Sequence, residues 1–238
     1  MAVLELNGLS TALSGSFSAT VIFPENASMA SDPDKRYPAL YFIHENGGND
    51  TDIRYIKNLE RLSSELGIFI IAPALMHTFA RDLRWGGKYG TFMYQELPGI
   101  CRHLFPLDEE RQYIGGTGSG AYAAYLQGAE HPDVFKKCVA LNGHYNIPFL
   151  CEAAVKGNPL PHLTPAMLEA VFGDLTSVAG SGFDILNESH AQPPVFFTGC
   201  EEDFVGYSGC ALLAKLNRTA LHTAKNEEDL YEAALRWL

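Results

Sequence analysis

The sequence predicts a doubly wound α/β sheet, and three observations carry that expectation. Short apolar runs alternate with stretches of helical spacing along most of the chain. Several of those runs are apolar at nearly every position, as strands buried on both faces of a parallel sheet are. With 238 residues, 47% of them hydrophobic and 19% charged, the chain is long enough for one large domain, 1–238, with a substantial core.

The elements follow in order. Val3 to Leu6 and Ser16 to Phe23 alternate like antiparallel strands. Pro24-Glu25-Asn26 and the polar stretch Ser28 to Lys35 read as a surface loop. Pro38 to His44 is a continuous apolar run that suits a buried parallel strand, and Ile68 to Ala72 is a second, stopped by Pro73. Between them, Ile53, Ile56, Leu59, Leu62 and Leu66 give Asp52 to Leu66 helical spacing. A helix is expected from about Thr91 to Leu104. A strand then enters a glycine-dense turn, a helix leaves it, and Lys137 to Leu141 forms another strand. Residues 143–190, rich in Pro and Gly with a helical piece at Thr164 to Phe172, read as a small cap-like insertion after the sixth strand. Pro194 to Thr198 (strand), Tyr207 to Asn217 (helix), Thr219 to Thr223 (short strand) and Glu227 to Leu238 (helix) close the chain. The whole is a mostly parallel, twisted sheet of about eight strands flanked by helices.

Composition narrows the partners. A net charge of −11 argues against nucleic acid or an anionic membrane surface. No basic n-region precedes an apolar run at the N-terminus, and no apolar stretch is long enough to span a bilayer. Cys101, Cys138, Cys151, Cys200 and Cys210 are odd in number, scattered, and without a C-x-x-C pair, which fits reduced thiols and a cytoplasmic setting. The N-x-S/T triplets at Asn26, Asn49, Asn187 and Asn217 read as chance without a secretion signal.

The most informative segment runs from Arg111 to Tyr125. Tyr113 and Ile114 lead into Gly116-Thr117-Gly118-Ser119-Gly120, and the small residues Ala121, Ala123 and Ala124 open a helix. This is the layout of a nucleophile elbow, G-x-S-x-G, with Gly118 in the nucleophile position. No G-x-S-x-G occurs elsewhere in the chain. The same glycines match the dinucleotide fingerprint as Gly116-x-Gly118-x-x-Ala121. They lie mid-chain, however, and the next strand ends in Leu141-Asn142-Gly143 with no acid for a ribose, so a tight turn is the reading. No cofactor is expected.

From about residue 37 onward the chain resembles the α/β-hydrolases of the esterase D and tributyrin esterase type. The resemblance rests on Tyr41-Phe-Ile-His44 followed by Glu45-Asn46-Gly47-Gly48, which is similar to the family's strand and His-Gly-x-x-Gly oxyanion loop. It rests also on Glu60-Arg61-Leu62, Gln95-Glu96-Leu97-Pro98, Val171-Phe172-Gly173-Asp174 and Gly199-Cys-Glu-Glu-Asp203-Phe204. The resemblance implies an α/β-hydrolase fold, an esterase ancestry and self-association into a homo-oligomer. It places the triad acid at Asp203, the nucleophile at Gly118, the histidine at Lys225 just before the last helix, and oxyanion donors at Asn46 and Ser119. Serine and histidine are thus replaced, and Glu45 stands where the oxyanion loop usually has glycine. A carboxylate there opposes the stabilisation of a developing oxyanion. An elbow nucleophile holds strained backbone costing ~1–3 kcal/mol, which glycine relieves. A pseudo-esterase that keeps a cleft for a small-molecule ligand or ester is the expectation.

The alternative is a residual or repurposed hydrolase using Ser119, His222 and Asp203, or a water held by Glu45 and Asp203. Ser119 otherwise reads as a small, capping residue at a helix start, and His222 as a histidine at a strand end. His44 reads as a buried structural imidazole. His44, Glu45, His144, Asp203 and His222 could converge on a metal, but no H-x-x-x-H spacing supports this, and no metal is expected. Arg81, Arg84, Trp85 and Lys88 either hold an anionic ligand or form a solvated loop. Cys200 reads as a packed thiol.

Overall fold

The computed structural model describes residues 3–25, 32–158, 160, 162–187 and 193–238. Among them, eight strands form one sheet: β1 (Val3–Ser10), β2 (Gly15–Ile22), β3 (Tyr37–Ile43), β4 (Phe69–Pro73), β5 (Leu107–Thr117), β6 (Lys137–Leu141), β7 (Val195–Cys200) and β8 (Leu221–Ala224). Their order is β1-β2-β4-β3-β5-β6-β7-β8. The first two strands pair antiparallel with each other and β2 runs antiparallel to β4, whereas every later pairing is parallel. The helices are α1 (Leu59–Leu66), α2 (Leu97–Leu104), α3 (Ser119–Glu130), α4 (Ile147–Val155), α5 (Pro165–Phe172), α6 (Phe204–Leu216) and α7 (Glu227–Trp237), with shorter helical turns between some of them.

The continuous apolar runs bury both faces of the sheet. Tyr37, Ala39, Tyr41 and Ile43 of β3 join the core under α2, α3 and α6, while Leu40 and Phe42 join the opposite core under α1 and α7. A period of two within an unbroken apolar run thus feeds two layers at once. The connection after β3 runs through α1 on one face, and the one after β5 runs through α3 on the other. The neighbouring strands β3 and β5 therefore diverge at their C-terminal ends, the topological switch point where open α/β sheets hold ligands.

Most expected elements are present, and three differ. The helix expected over Asp52 to Leu66 is a 3₁₀ turn at Asp52–Tyr55 followed by α1. Asn58 breaks it with a left-handed φ of 61°, a conformation Asn tolerates. The break lets Ile53, Leu59 and Leu62 reach one core. The helix expected from Thr91 carries a π turn at Phe92–Glu96 directly before Pro98. Proline lacks an N–H and its ring crowds the preceding turn, so a wider turn accommodates it. Glu96 in that turn accepts from the Ser10 hydroxyl and the Thr11 and Ala12 N–H groups at 2.5, 2.8 and 3.0 Å, tying the β1–β2 turn to the helix.

The third difference is α4, inside 143–190, for which no bounds were expected. Asn146 caps it by accepting from Phe149 N–H, and Pro148 sits in its first turn. Both are sequence-level start signals. The part of the expected surface loop at 26–31, the Asn26 triplet and residues 188–190 of the insertion lie outside the described residues. Among the described residues, no helix is long and apolar enough to cross a membrane. All five cysteines are buried free thiols.

Candidate active site

Four loops meet at the C-terminal edge of the parallel strands. They carry Glu45 and Asn46 after β3, Gly118 after β5, His144 after β6, and Asp203 after β7. Gly118 has φ 57° and ψ −123°. This is the elbow conformation, reached here without the strain a side chain would bring. The turn is pinned by Gly118 N–H donating to Leu141 O (3.1 Å) and by His144 N–H donating to Gly118 O (3.0 Å).

The space above Gly118 is filled from the side. A Cβ placed on Gly118 would lie 2.5 Å from Glu45 Cδ and 2.6 Å from Glu45 Oε1. The Glu45 carboxylate therefore stands where a nucleophile side chain would stand. It is held there by His144, whose Nδ1 is 3.1 Å from Glu45 Oε1. Ninety-nine positions separate the two residues in the sequence, and no local spacing signals the pair.

The hydrogen bond that His144 donates to Glu45 holds its imidazole above the ordinary pKa; partial burial opposes this, and the charges of Glu45 and Asp203 reinforce it. A histidine raised in the folded state stabilises the fold below the unfolded pKa of about 6.5, and that contribution fades as pH rises through the folded value. Glu45→Gln is expected to return His144 towards or below the ordinary value. An NMR titration of the His144 ring reads this directly, and an unchanged midpoint would show that Glu45 is not the cause.

The loop after β3 is tied to the start of α3. Asn46 N–H donates to Ser119 Oγ at 2.7 Å. An elbow hydrolase uses the N–H after the nucleophile and one from the β3 loop to stabilise the oxyanion. Here the Asn46 donor already has a partner. Ser119 was expected to cap the helix; it makes no capping bond, and its hydroxyl is turned to Asn46 instead.

His44 is structural, as expected. It is buried, donates from Nδ1 to Glu45 O (2.7 Å) and accepts Leu75 N–H at Nε2 (3.0 Å), and burial lowers its pKa. Both nitrogens are occupied in the neutral ring.

His222 falls apart from this centre and does not fold back to Asp203: it lies inside β8, bonds Thr198 Oγ1 through Nδ1 at 3.1 Å and stacks on Phe196. Strand pairing with β7 fixes it there. Asp203 caps α6, accepting from Gly206 N–H at 3.1 Å. Lys225 is exposed in the loop before α7, with its N–H donating to Asp229 Oδ2 at 2.9 Å. The convergence of His44, Glu45, His144, Asp203 and His222 on a metal is not formed. Among the described residues, no group of three or more His, Cys, Asp or Glu side chains is arranged to hold one.

A cavity of about 720 Å³ opens over the elbow, with Glu45, Ser119 and His144 at its floor. Residues of α4 and α6 wall it, as does His162, which sequence reasoning missed. Arg81, Arg84, Trp85 and Lys88 do not line it. Arg81 pairs with Glu130, and Arg84 lies over the Trp85 ring. Cys200 is buried, with its N–H donated to Asn142 Oδ1 at 2.8 Å.

Comparisons with known proteins agree with this architecture. Residues 10–170, more than half of the chain, match the Esterase family, described as "Putative esterase". An acetyl esterase of Caldicellulosiruptor saccharolyticus is 25% identical over 245 residues, covering 95% of this chain and 87% of that protein. The Staphylococcus aureus fluorophosphonate-binding serine hydrolase FphF superposes with a TM-score of 0.79 at 20% identity, over 99% of this chain and 97% of its own. The S-formylglutathione hydrolase FrmB of the same organism gives a TM-score of 0.78 at 21% identity, over 99% and 98%. An Agrobacterium tumefaciens S-formylglutathione hydrolase gives 0.74 at 14%, over 99% and 93%. An eight-stranded, doubly wound sheet with an elbow after β5, matched over most of its length by this family, makes the chain a member of the Esterase family, with the α/β-hydrolase fold.

Proposed function

We propose that this protein is a pseudo-esterase: a member of the esterase family that lacks the nucleophile serine and the triad histidine and uses the cleft over the elbow to bind a small molecule rather than to hydrolyse an ester. One observation carries the reading. The Glu45 carboxylate occupies the volume above Gly118 and is hydrogen-bonded there to His144. An ester carbonyl entering this position meets a negative charge and no hydroxyl. The chemistry requires the reverse, a nucleophile with donors aimed at a developing oxyanion. The donor at Asn46 is already bonded to Ser119, and Gly118 and Lys225 supply no hydroxyl or neutral imidazole base.

A hydrolase using Ser119, His222 and Asp203 is less well supported. His222 is paired with Thr198 within the sheet and Asp203 caps α6, so neither forms a relay with Ser119. The acidic net charge supports a small-molecule partner over nucleic acid. A cytoplasmic setting and a homo-oligomer remain part of the proposal.

The test uses a fluorophosphonate probe, because FphF is described as binding one. The purified protein is expected to stay unlabelled, and p-nitrophenyl acetate hydrolysis is expected at the uncatalysed rate, unchanged in Ser119→Ala. Stoichiometric labelling of Ser119, or turnover abolished by Ser119→Ala, would overturn the reading.

A further inference from the structure

The cleft differs in charge from one that receives a developing anion. Among the described residues lining it, none is Lys or Arg, and Glu45 is the one carboxylate. Glu45 Oε1 is bonded to His144, while Oε2 accepts no hydrogen bond from the described residues. Asp203 adds a second negative charge close enough to act on His144. The two imidazoles, His144 and His162, are the lining groups able to carry positive charge, and the first already answers Glu45. Above this floor the walls are mostly apolar, with Asn146, Ser208 and His162 among them. Phe149, Phe204 and Val205 stay 67%, 77% and 65% exposed at the rim, an open apolar surface of the kind that marks a binding site.

From this arrangement we infer that the cleft binds a small organic cation: an ammonium group on an alkyl or aryl tail, with the ammonium on Glu45 over Gly118 and the tail along α4 and α6. The inference rests on the proposed reading of a retained, non-catalytic cleft, and it names the ligand class of that site. An ammonium N–H donates to Glu45 Oε2, a charge-assisted bond stronger than a neutral one. The Phe149 and Phe204 rings at the rim give the tail apolar contact. A volume of about 720 Å³ lies within the range of small-molecule sites. The chain's charge of −11 favours the approach of cations. A carboxylate ligand meets the opposite conditions, facing Glu45 with no lysine or arginine on the walls to answer it.

Three probes with one tail and different heads test this: 4-phenylbutylammonium, 4-phenylbutan-1-ol and 4-phenylbutyrate, titrated calorimetrically into the wild-type protein and Glu45→Gln at about pH 8. The ammonium is expected to bind about tenfold or more tightly than the alcohol, and the carboxylate more weakly than either. Glu45→Gln should bring the ammonium down to about the affinity of the alcohol while changing the alcohol by no more than about threefold. Equal affinity for alcohol and ammonium, a preference for the carboxylate, or an ammonium preference that survives Glu45→Gln would overturn the inference while leaving the cleft itself in place. Failure of all three probes to bind would overturn the retained cleft and the inference together. Fluorophosphonate labelling of the same protein would instead remove the non-catalytic reading without touching the head-group result.

Discussion

Gly118→Ser alone is expected to leave the protein without esterase activity, whereas Gly118→Ser/Glu45→Gly/Lys225→His is expected to raise kcat/KM for p-nitrophenyl acetate by about 10²-fold or more over the parent. The single variant fails for a steric and an electrostatic reason. The new Cβ would lie 2.5 Å from Glu45 Cδ, so the carboxylate must move aside, and its negative charge remains next to the reacting centre. The His144 ring over residue 118 is bonded to Glu45 rather than free to act as a base for the new hydroxyl. Glu45→Gly clears the room above residue 118. Lys225→His places an imidazole in the loop after β8, on the same sheet edge as the elbow and Asp203. With all three changes the serine oxygen can bond to the acyl carbon while the imidazole takes its proton and returns it to the leaving alcohol. The expected gain is a small part of a natural triad's effect, because Asp203 is partly engaged in capping α6. The new side chain at 118 also costs ~1–3 kcal/mol of backbone strain, within the reserve of about 5–15 kcal/mol of a typical domain. Fluorophosphonate labelling of residue 118 gives a second reading of the same variant. A triple variant that stays folded, unlabelled and inactive would show that residue 225 does not hold the histidine position.

The strands were more legible in the sequence than the site. Lys137 to Leu141 coincides with β6, and the runs at Pro38 to His44 and Ile68 to Ala72 mark β3 and β4 to within a residue or two. Buried parallel strands announce themselves because both faces must be apolar. Asn58 was not legible, since one left-handed residue leaves the helical spacing of its neighbours intact. The capped start of α4 at Asn146 and Pro148 was legible and was passed over amid the surrounding prolines and glycines. At the site, the tight turn between β5 and α3 could be read directly from Gly116 to Gly120. The Glu45–His144 pair could not, because it forms only when β3 and β6 place their loops on either side of the elbow. Its partners are linked by topology rather than by spacing. The same applies to His222: it lies within β8 rather than at the end of its strand, and the reading in which it approaches Asp203 needed a fold-back that pairing with β7 forbids.

Gly120→Ala is expected to destabilise the fold by about 3 kcal/mol or more, at the upper end of what overpacking costs, although Ala is the better helix former. The reason is the closeness of α3 to the end of β3. A Cβ on Gly120 would lie 2.2 Å from Ile43 O and 2.6 Å from His44 O. Both contacts are backbone, so no side chain can turn aside. Ile43 is itself fixed by pairing with Gly116 across β3 and β5, and Ser119, one residue before Gly120, bonds Asn46. The added methyl must therefore push α3 outward, pulling on the elbow, the oxyanion loop and the sheet together. Gly99→Ala is the matched control. It lies in α2 with no atom within 4 Å of an added Cβ, so the same methyl should stabilise by ~0.4–1 kcal/mol through the unfolded state alone. Urea unfolding of the two variants separates propensity from contact: opposite signs support the close approach, and a loss below about 1 kcal/mol for Gly120→Ala would refute it. The packing at Gly120 also bears on the site: α3 cannot move outward without shifting the end of β3 and the loop that carries Glu45 and Asn46 into the cleft.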